Sequence, residues 1–217
     1  MKKLKILFPL FLAIFLVSSG FSIAQDRADQ ILKDSKTKFE SLKDFSASFS
    51  ISIQNINTRR AAFTKSGQIK YKKGKYFIGL EGEEIYFDGE TQWVYLTKEK
   101  EVNIMTYDRD DAPSIELIFE IYSTAAKPRY DGEESVNGNS CHRIFIASTD
   151  RSVEYNQVRL WVNKSTHLLE KMVLLDRNQT TTTYLFSDIK TNMGLSDGIF
   201  RLDVSKLASD IEIYDER

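Results

Sequence analysis

At Phe45 the spacing of apolar residues changes from every third or fourth position to every second, and the new period governs most of the chain that follows. Upstream, Asp26 to Asp44 sets Ala28, Ile31, Leu32, Phe39 and Leu42 at helical intervals, with Lys33, Asp34, Lys36, Lys38, Glu40 and Lys43 between them. That pattern predicts a helix with one oily and one wet side. Downstream, Phe45, Ala47, Phe49, Ile51 and Ile53 alternate with Ser46, Ser48, Ser50, Ser52 and Gln54. Period two is a strand with one apolar and one hydroxylated face.

Further strands follow at short intervals. Gln68 to Lys72, Lys75 to Leu80, Glu84 to Phe87, Gln92 to Leu96 and Glu101 to Tyr107 are separated by Lys73-Gly74, Glu81-Gly82-Glu83, Asp88-Gly89 and Lys98-Glu99-Lys100. Asp-Gly between two strands suits a two-residue hairpin, because both residues tolerate positive φ. The pattern resumes with Cys141 to Ala147, Tyr155 to Val162, Leu168 to Asp176, Thr180 to Phe186 and a last strand near Phe200 to Val204. Ten or eleven antiparallel strands predict one large curved sheet or a barrel. Some are apolar on both faces: Trp93 and Tyr95 alternate with Val94 and Leu96, and Leu169, Val173 and Leu175 with Met172 and Leu174. Each face therefore needs a cover.

One helical segment interrupts the strands. Pro113 suits a first helical turn, and Ser114 to Ala126 continues it, with Ile115, Leu117, Ile118, Phe119, Ile121 and Tyr122 forming a wide apolar stripe. Two roles fit: an ordinary helix packed on the sheet, or a lid whose underside closes over a ligand cavity.

The N-terminus reads as an export signal. Lys2, Lys3 and Lys5 precede an apolar run from Ile6 to Val17, and Ser22-Ile23-Ala24 is a small-x-small cleavage site. The run is too short for the roughly 20 apolar residues of a membrane-spanning helix. The expected organisation is a cleaved signal peptide, residues 1–24, and one domain, residues 25–217, with 27 basic and 31 acidic residues left once the three lysines are gone. The only cysteine, Cys141, lies far from the cleavage site, so no acylated anchor and no internal disulfide are expected, and the core alone must hold the fold. No basic cluster is interleaved with aromatics, which argues against nucleic acid as a partner.

Catalysis has little to work with. Cys141 and His142 are neighbours on one strand and point to opposite faces, so they cannot form a nucleophile–base pair. The chain has no nucleophile elbow, zinc-protease helix, phosphate-binding loop or dinucleotide fingerprint. Asp108, Asp110 and Asp111 lack the glycine and distal glutamate of a calcium loop. A non-enzyme with no cofactor and no metal is the expectation.

Several strings, in order, resemble the LolA family of periplasmic lipoprotein carriers. They are the helix followed by Phe45-Ser46-Ala47-Ser48-Phe49; Gly67-Gln68-Ile69-Lys70-Tyr71-Lys72-Lys73-Gly74; Asp88-Gly89-Glu90-Thr91-Gln92-Trp93-Val94-Tyr95; Val158 to Val162; and Phe186-Ser187-Asp188-Ile189-Lys190-Thr191-Asn192 leading to Phe200. The resemblance implies a mainly β protein with a few helices, whose single curved antiparallel sheet is an unclosed half-barrel under a helical lid. It implies a cavity lined from Phe45, Phe49, Ile51, Tyr71, Phe87, Trp93, Tyr95, Ile115, Ile118, Phe119, Tyr122, Trp161, Met172 and Phe186. Lys73 falls where the family has a basic latch residue, with lysine in place of the usual arginine and Gly74 in place of proline.

The implied protein is a periplasmic monomer that takes acylated lipoproteins from an inner-membrane lipoprotein-extraction complex and passes them to an outer-membrane acceptor. Burying an acyl chain gains about 0.8 kcal/mol per methylene, so three chains of about sixteen carbons would cost on the order of 35–40 kcal/mol left in water. Such a carrier needs a large continuous apolar surface. Two other readings stand beside it: a regulatory sensor of lipid or lipoprotein on the same half-barrel, and an exported β domain that binds protein or glycan.

Overall fold

A computed structural model describes residues 19–58, 63–107, 128–148 and 155–217. Its elements run α1 (Ser19–Ser41), β1 (Phe45–Asn55), β2 (Phe63–Lys72), β3 (Lys75–Leu80), β4 (Glu83–Phe87), β5 (Thr91–Leu96) and β6 (Glu101–Thr106), then β7 (Arg129–Val136), β8 (Asn139–Ala147), β9 (Tyr155–Asn163), β10 (Leu169–Asp176), β11 (Thr180–Thr191) and β12 (Glu212–Asp215). Two short 3-10 turns, Asp197–Phe200 and Val204–Lys206, lie between β11 and β12. The expected helix from Ser114 to Ala126 and the residues 1–18 fall outside the described residues.

All twelve strands join one unclosed curved sheet in the order β12-β6-β5-β4-β3-β2-β1-β11-β10-β9-β8-β7. Two antiparallel meanders, β1 to β6 and β7 to β11, meet where β1 pairs with β11 from Phe45↔Thr191 to Asn55↔Thr180. As a result β6 and β7, consecutive in the described chain, lie at opposite sides of the sheet.

The hairpins follow from local chemistry. Lys73 (φ 44) with Gly74 (φ 79), and Asn137 (φ 50) with Gly138 (φ 82), put two successive residues in the left-handed region, as a type I′ turn demands. At Asp88-Gly89 the Asp88 carboxylate accepts the backbone N–H groups of Glu90 (3.2 Å) and Thr91 (2.9 Å).

Four expectations are corrected. Helix α1 ends at Ser41 instead of Asp44, because Asp44 is drawn into another set of bonds: its carboxylate accepts the N–H groups of Met193 (2.6 Å), Gly194 (2.9 Å) and Leu195 (3.0 Å). The helix also begins at Ser19 instead of Asp26. The last strand is not Phe200 to Val204. There the chain forms its 3-10 turns and drops Phe200 into a fully buried position. The terminal strand is instead β12, which adds to the edge of the otherwise antiparallel sheet by pairing in parallel with β6. Finally, β7 is a strand that period two did not flag, since its residues are largely exposed and a register shift interrupts it between Tyr130 and Glu133.

The two faces of the sheet differ in their cover. On one, Ala28, Ile31 and Leu32 of α1 pack on Ile144, Ile146, Val158, Leu160, Val162 and Met172, all buried. Cross-strand partners share a face, so this helix-side face also carries Phe45, Ala47, Phe49, Ile69, Tyr71, Tyr76, Ile78, Ile85 and Phe87. On the outer face Trp93, Val102 and Ile104 lie beneath Leu202, Val204, Leu207 and Ile211 of the C-terminal arm. Val136, Cys141 and Trp161 form a separate outer cluster with Val173 and Leu185.

Candidate functional site

The helix-side face holds an apolar pocket, open to solvent on one side, where α1 meets the seam between the two meanders; together with the solvent at its mouth it encloses about 590 Å³. From α1 come Ser35 and Phe39, and from just past its end Leu42, which continue the stripe of Ala28, Ile31 and Leu32 at helical spacing. From β1 and β2 come Phe45, Ala47 and Ile69; from the other meander come Leu168, Leu169, Phe186 and Ile189. Among the described residues, no ionisable side chain lines it.

One wall is a cluster of three rings. Phe39 meets Phe45 edge-on at 5.7 Å between centroids, Phe45 stacks with Tyr71 at 5.4 Å, and Phe39 and Tyr71 lie 5.2 Å apart. Offset and edge-on pairs of this kind fix ring positions as well as bury area. Behind them, Tyr76 accepts a hydrogen bond from the Gln92 amide at 2.9 Å. Burial pushes the Tyr76 phenol up to about 12, so it stays neutral under all ordinary conditions.

Two β-bulges put residues into this pocket that strict alternation would send elsewhere. In β10 the register shifts between Leu169 and Lys171. Glu170 sits at the shift, nine-tenths buried, where it accepts the side-chain amides of Asn139 (3.1 Å) and Asn163 (2.8 Å). Leu169 thereby shares the helix-side face with Met172, three positions on, whereas unbroken period two would oppose them. In β11 a second shift, opposite Ser46 to Ser48, has Asp188 at φ 51 and lets Phe186 and Ile189 share one face. Sequence reading missed Ser35, Leu168, Leu169 and Ile189 for this reason and because a helical serine carries no signal of its own. Phe39, Leu42 and Ile69 were legible as core positions but not as pocket walls.

Of the residues singled out in the sequence, Phe45 and Phe186 line the pocket, and Phe49, Ile51, Tyr71 and Phe87 lie on the same face beside it. Met172 is on that face too, but it is 3 % exposed beneath the first half of α1 and belongs to the permanent core. Trp93, Tyr95 and Trp161 lie on the outer face, away from the pocket. The cross-strand pairs show why: Ile85 and Phe87 oppose Val94 and Gln92, which leaves Tyr86 with Trp93 on the other side. Leu160 likewise pairs with Met172 and Ile144 while Trp161 pairs with Lys171 and Arg143. Ile115, Ile118, Phe119 and Tyr122 lie outside the described residues. Lys73 is an exposed turn residue; its neighbour Lys72 is the one that donates, to the Leu195 carbonyl at 2.7 Å and to the Asp197 carboxylate at 2.8 Å.

Apolar surface continues past the pocket. Ile53 and Phe63, paired across β1 and β2 on the helix-side face, are 41 % and 59 % exposed. Among the described residues no helix is long and apolar enough to cross a membrane.

The described residues thus form an unclosed sheet with a helix over one face and an oily pocket between them. The chain belongs to the family described as outer membrane lipoprotein carrier protein LolA, whose model matches residues 40–203. No curated protein matches it. Among solved structures it is similar to an uncharacterised conserved protein from Thermus thermophilus (10 % identity, 87 % of this chain and 99 % of that one, TM-score 0.57). It is also similar to LprF from Mycobacterium bovis (14 % identity, 79 % and 95 %, TM-score 0.50) and to the Pseudomonas aeruginosa MucA/MucB complex (14 % identity, 83 % and 61 %, TM-score 0.50). At these identities the likeness is one of fold.

Proposed function

We propose that this protein is a periplasmic carrier that holds the acyl chains of lipoproteins against its helix-side face and delivers them to the outer membrane. The observation that carries the reading is the pocket beneath α1. It is apolar throughout its sheet walls, open at its mouth and, among the described residues, free of charged lining, and Ile53 and Phe63 stand exposed farther along the same face. An acyl chain would find there the burial of methylenes that water denies it. Membership of a family described as a lipoprotein carrier supports the same ligand. Lipoproteins would be received from an inner-membrane extraction complex and passed to an acceptor at the outer membrane.

The test uses Ile189→Glu. Ile189 is half-buried at the pocket wall, so a carboxylate there stays hydrated while the pocket is open and must be desolvated when a chain enters. Ile189→Glu should bind a fluorescent sixteen-carbon acyl probe at least about tenfold more weakly, a loss of 1.4 kcal/mol, with its melting temperature within a few degrees of the parent. The parent should also release acylated lipoproteins from spheroplasts, and the variant should not. A parent protein that neither binds the probe nor releases lipoproteins would overturn the reading.

A further inference from the structure

Among the described residues, Ser35 is the one polar side chain on the pocket wall. It occupies the core stripe of α1, between Leu32 and Phe39, and is 4 % exposed. A serine inside a helix ordinarily returns its hydroxyl to the carbonyl three or four residues earlier. Ser41 on the same helix does so, donating to the Lys38 carbonyl at 2.6 Å. Ser35 makes no side-chain hydrogen bond to the described residues, and it lines a pocket otherwise walled by Phe, Leu, Ile and Ala side chains, where a bound chain would cut its hydroxyl off from water. Burying an unpaired hydroxyl is unfavourable, so a ligand that offers an acceptor at this point is favoured over one that does not.

We infer that Ser35 is a specificity residue of the pocket, donating a hydrogen bond to the carbonyl of an ester- or amide-linked acyl chain. The inference rests on the carrier reading above and adds to it the chemical class of the bound chain. The hydrocarbon part of a ligand is recognised by burial alone, which is nondirectional and cannot tell an acyl chain from an alkyl chain. One hydroxyl in an oily wall can, because an ester carbonyl accepts a hydrogen bond well and an ether oxygen is a poor substitute. The same contact fixes how deep the chain sits, since the carbonyl has to come level with the middle of α1.

The experiment compares two lysolipids with the same head group and sixteen-carbon chain, 1-palmitoyl lysophosphatidylcholine and its 1-O-hexadecyl ether analogue. Each displaces N-phenyl-1-naphthylamine from the full-length protein. The parent should favour the ester about fivefold, the size of one neutral hydrogen bond. Ser35→Ala should bring the ratio to about one, by weakening the ester and relieving the desolvation penalty on the ether, with the urea midpoint not lowered. Equal affinities in the parent, or an equal loss for both lipids in Ser35→Ala, would overturn the role of Ser35 while leaving a lipid-binding pocket in place. Displacement by neither lipid would overturn the carrier reading and this inference with it.

Discussion

Trp93 and Trp161 lie on the same outer face, one in each meander, and are almost equally buried at 4 % and 5 % exposure. They reach that state by opposite means. Trp161 is covered by its own half: Val136, Cys141 and Val173 close around it, and the Lys171 ammonium rests over its ring at 4.3 Å. Trp93 is covered from far along the chain, by Leu202, Val204, Leu207 and Ile211, with the Arg201 guanidinium 5.7 Å from its ring. One half of the sheet is self-sufficient. The other is complete only when the C-terminal arm is in place.

The largest break in that comparison should come from Phe200→Ala. Phe200 is fully buried where the arm turns, and truncating such a ring costs about 3–5 kcal/mol. Trp93 emission, read in a Trp161→Phe background, should move to the red at a lower urea concentration than Trp161 emission read in a Trp93→Phe background. If both tryptophans shift together, the halves do not differ as described.

Asp44→Asn should have a smaller effect and a distinctive pH dependence. Burial raises the Asp44 carboxyl pKa, but hydrogen bonds from Met193, Leu195 and Gly194, with Lys72 nearby, outweigh it and hold the carboxyl below its usual value of 3.8. A group whose folded pKa is depressed contributes stability that is fully present above the unfolded pKa and is lost as pH falls through the folded one. The parent should therefore lose urea resistance from about pH 4 downward, through this group, and Asp44→Asn should be weaker at neutral pH with a flatter acid limb. A variant whose acid limb matches the parent's would remove Asp44 from the arm's fastening.

Lys171→Ala should cost only about 0.5–1 kcal/mol, the value of an exposed cation–π contact, and should raise acrylamide quenching of Trp161 but not of Trp93. Lys206→Ala should do least. Its pair with Asp203, at 2.9 Å, is solvent-exposed on both sides, so the melting temperature should not move measurably. A clear drop would mean that surface charge, not buried apolar contact, holds the arm.

The sequence made the alternation of each strand legible, and with it the relative facing of neighbours such as Trp93 and Val94. It did not reveal which face of β5 looks toward α1. That is decided by pairing across the sheet, from Phe87 to Gln92, and period two has no origin of its own. This is why Trp93, Tyr95 and Trp161 were expected at the cavity and lie on the other side. Phe45 and Phe186 were legible because they extend an apolar row that begins beside the helix. Leu169 and Ile189 were not, since each owes its facing to a bulge. Strands β7 and β12 escaped because an edge strand with exposed side chains, such as Glu212 to Asp215, needs no apolar alternation.

The seam between β1 and β11 has a consequence for how the molecule comes into being. Its tight end joins Asn55 to Thr180, 125 positions apart, so it is the least local pairing in the sheet core. Closing so long a loop costs chain entropy before any contact is gained, and pairings of this kind slow folding. The meanders need only their own short turns and can form first. The pocket draws Phe45, Ala47 and Ile69 from one meander and Leu169, Phe186 and Ile189 from the other. It does not exist until the two have docked, so a chain caught halfway through folding has nothing with which to hold a ligand.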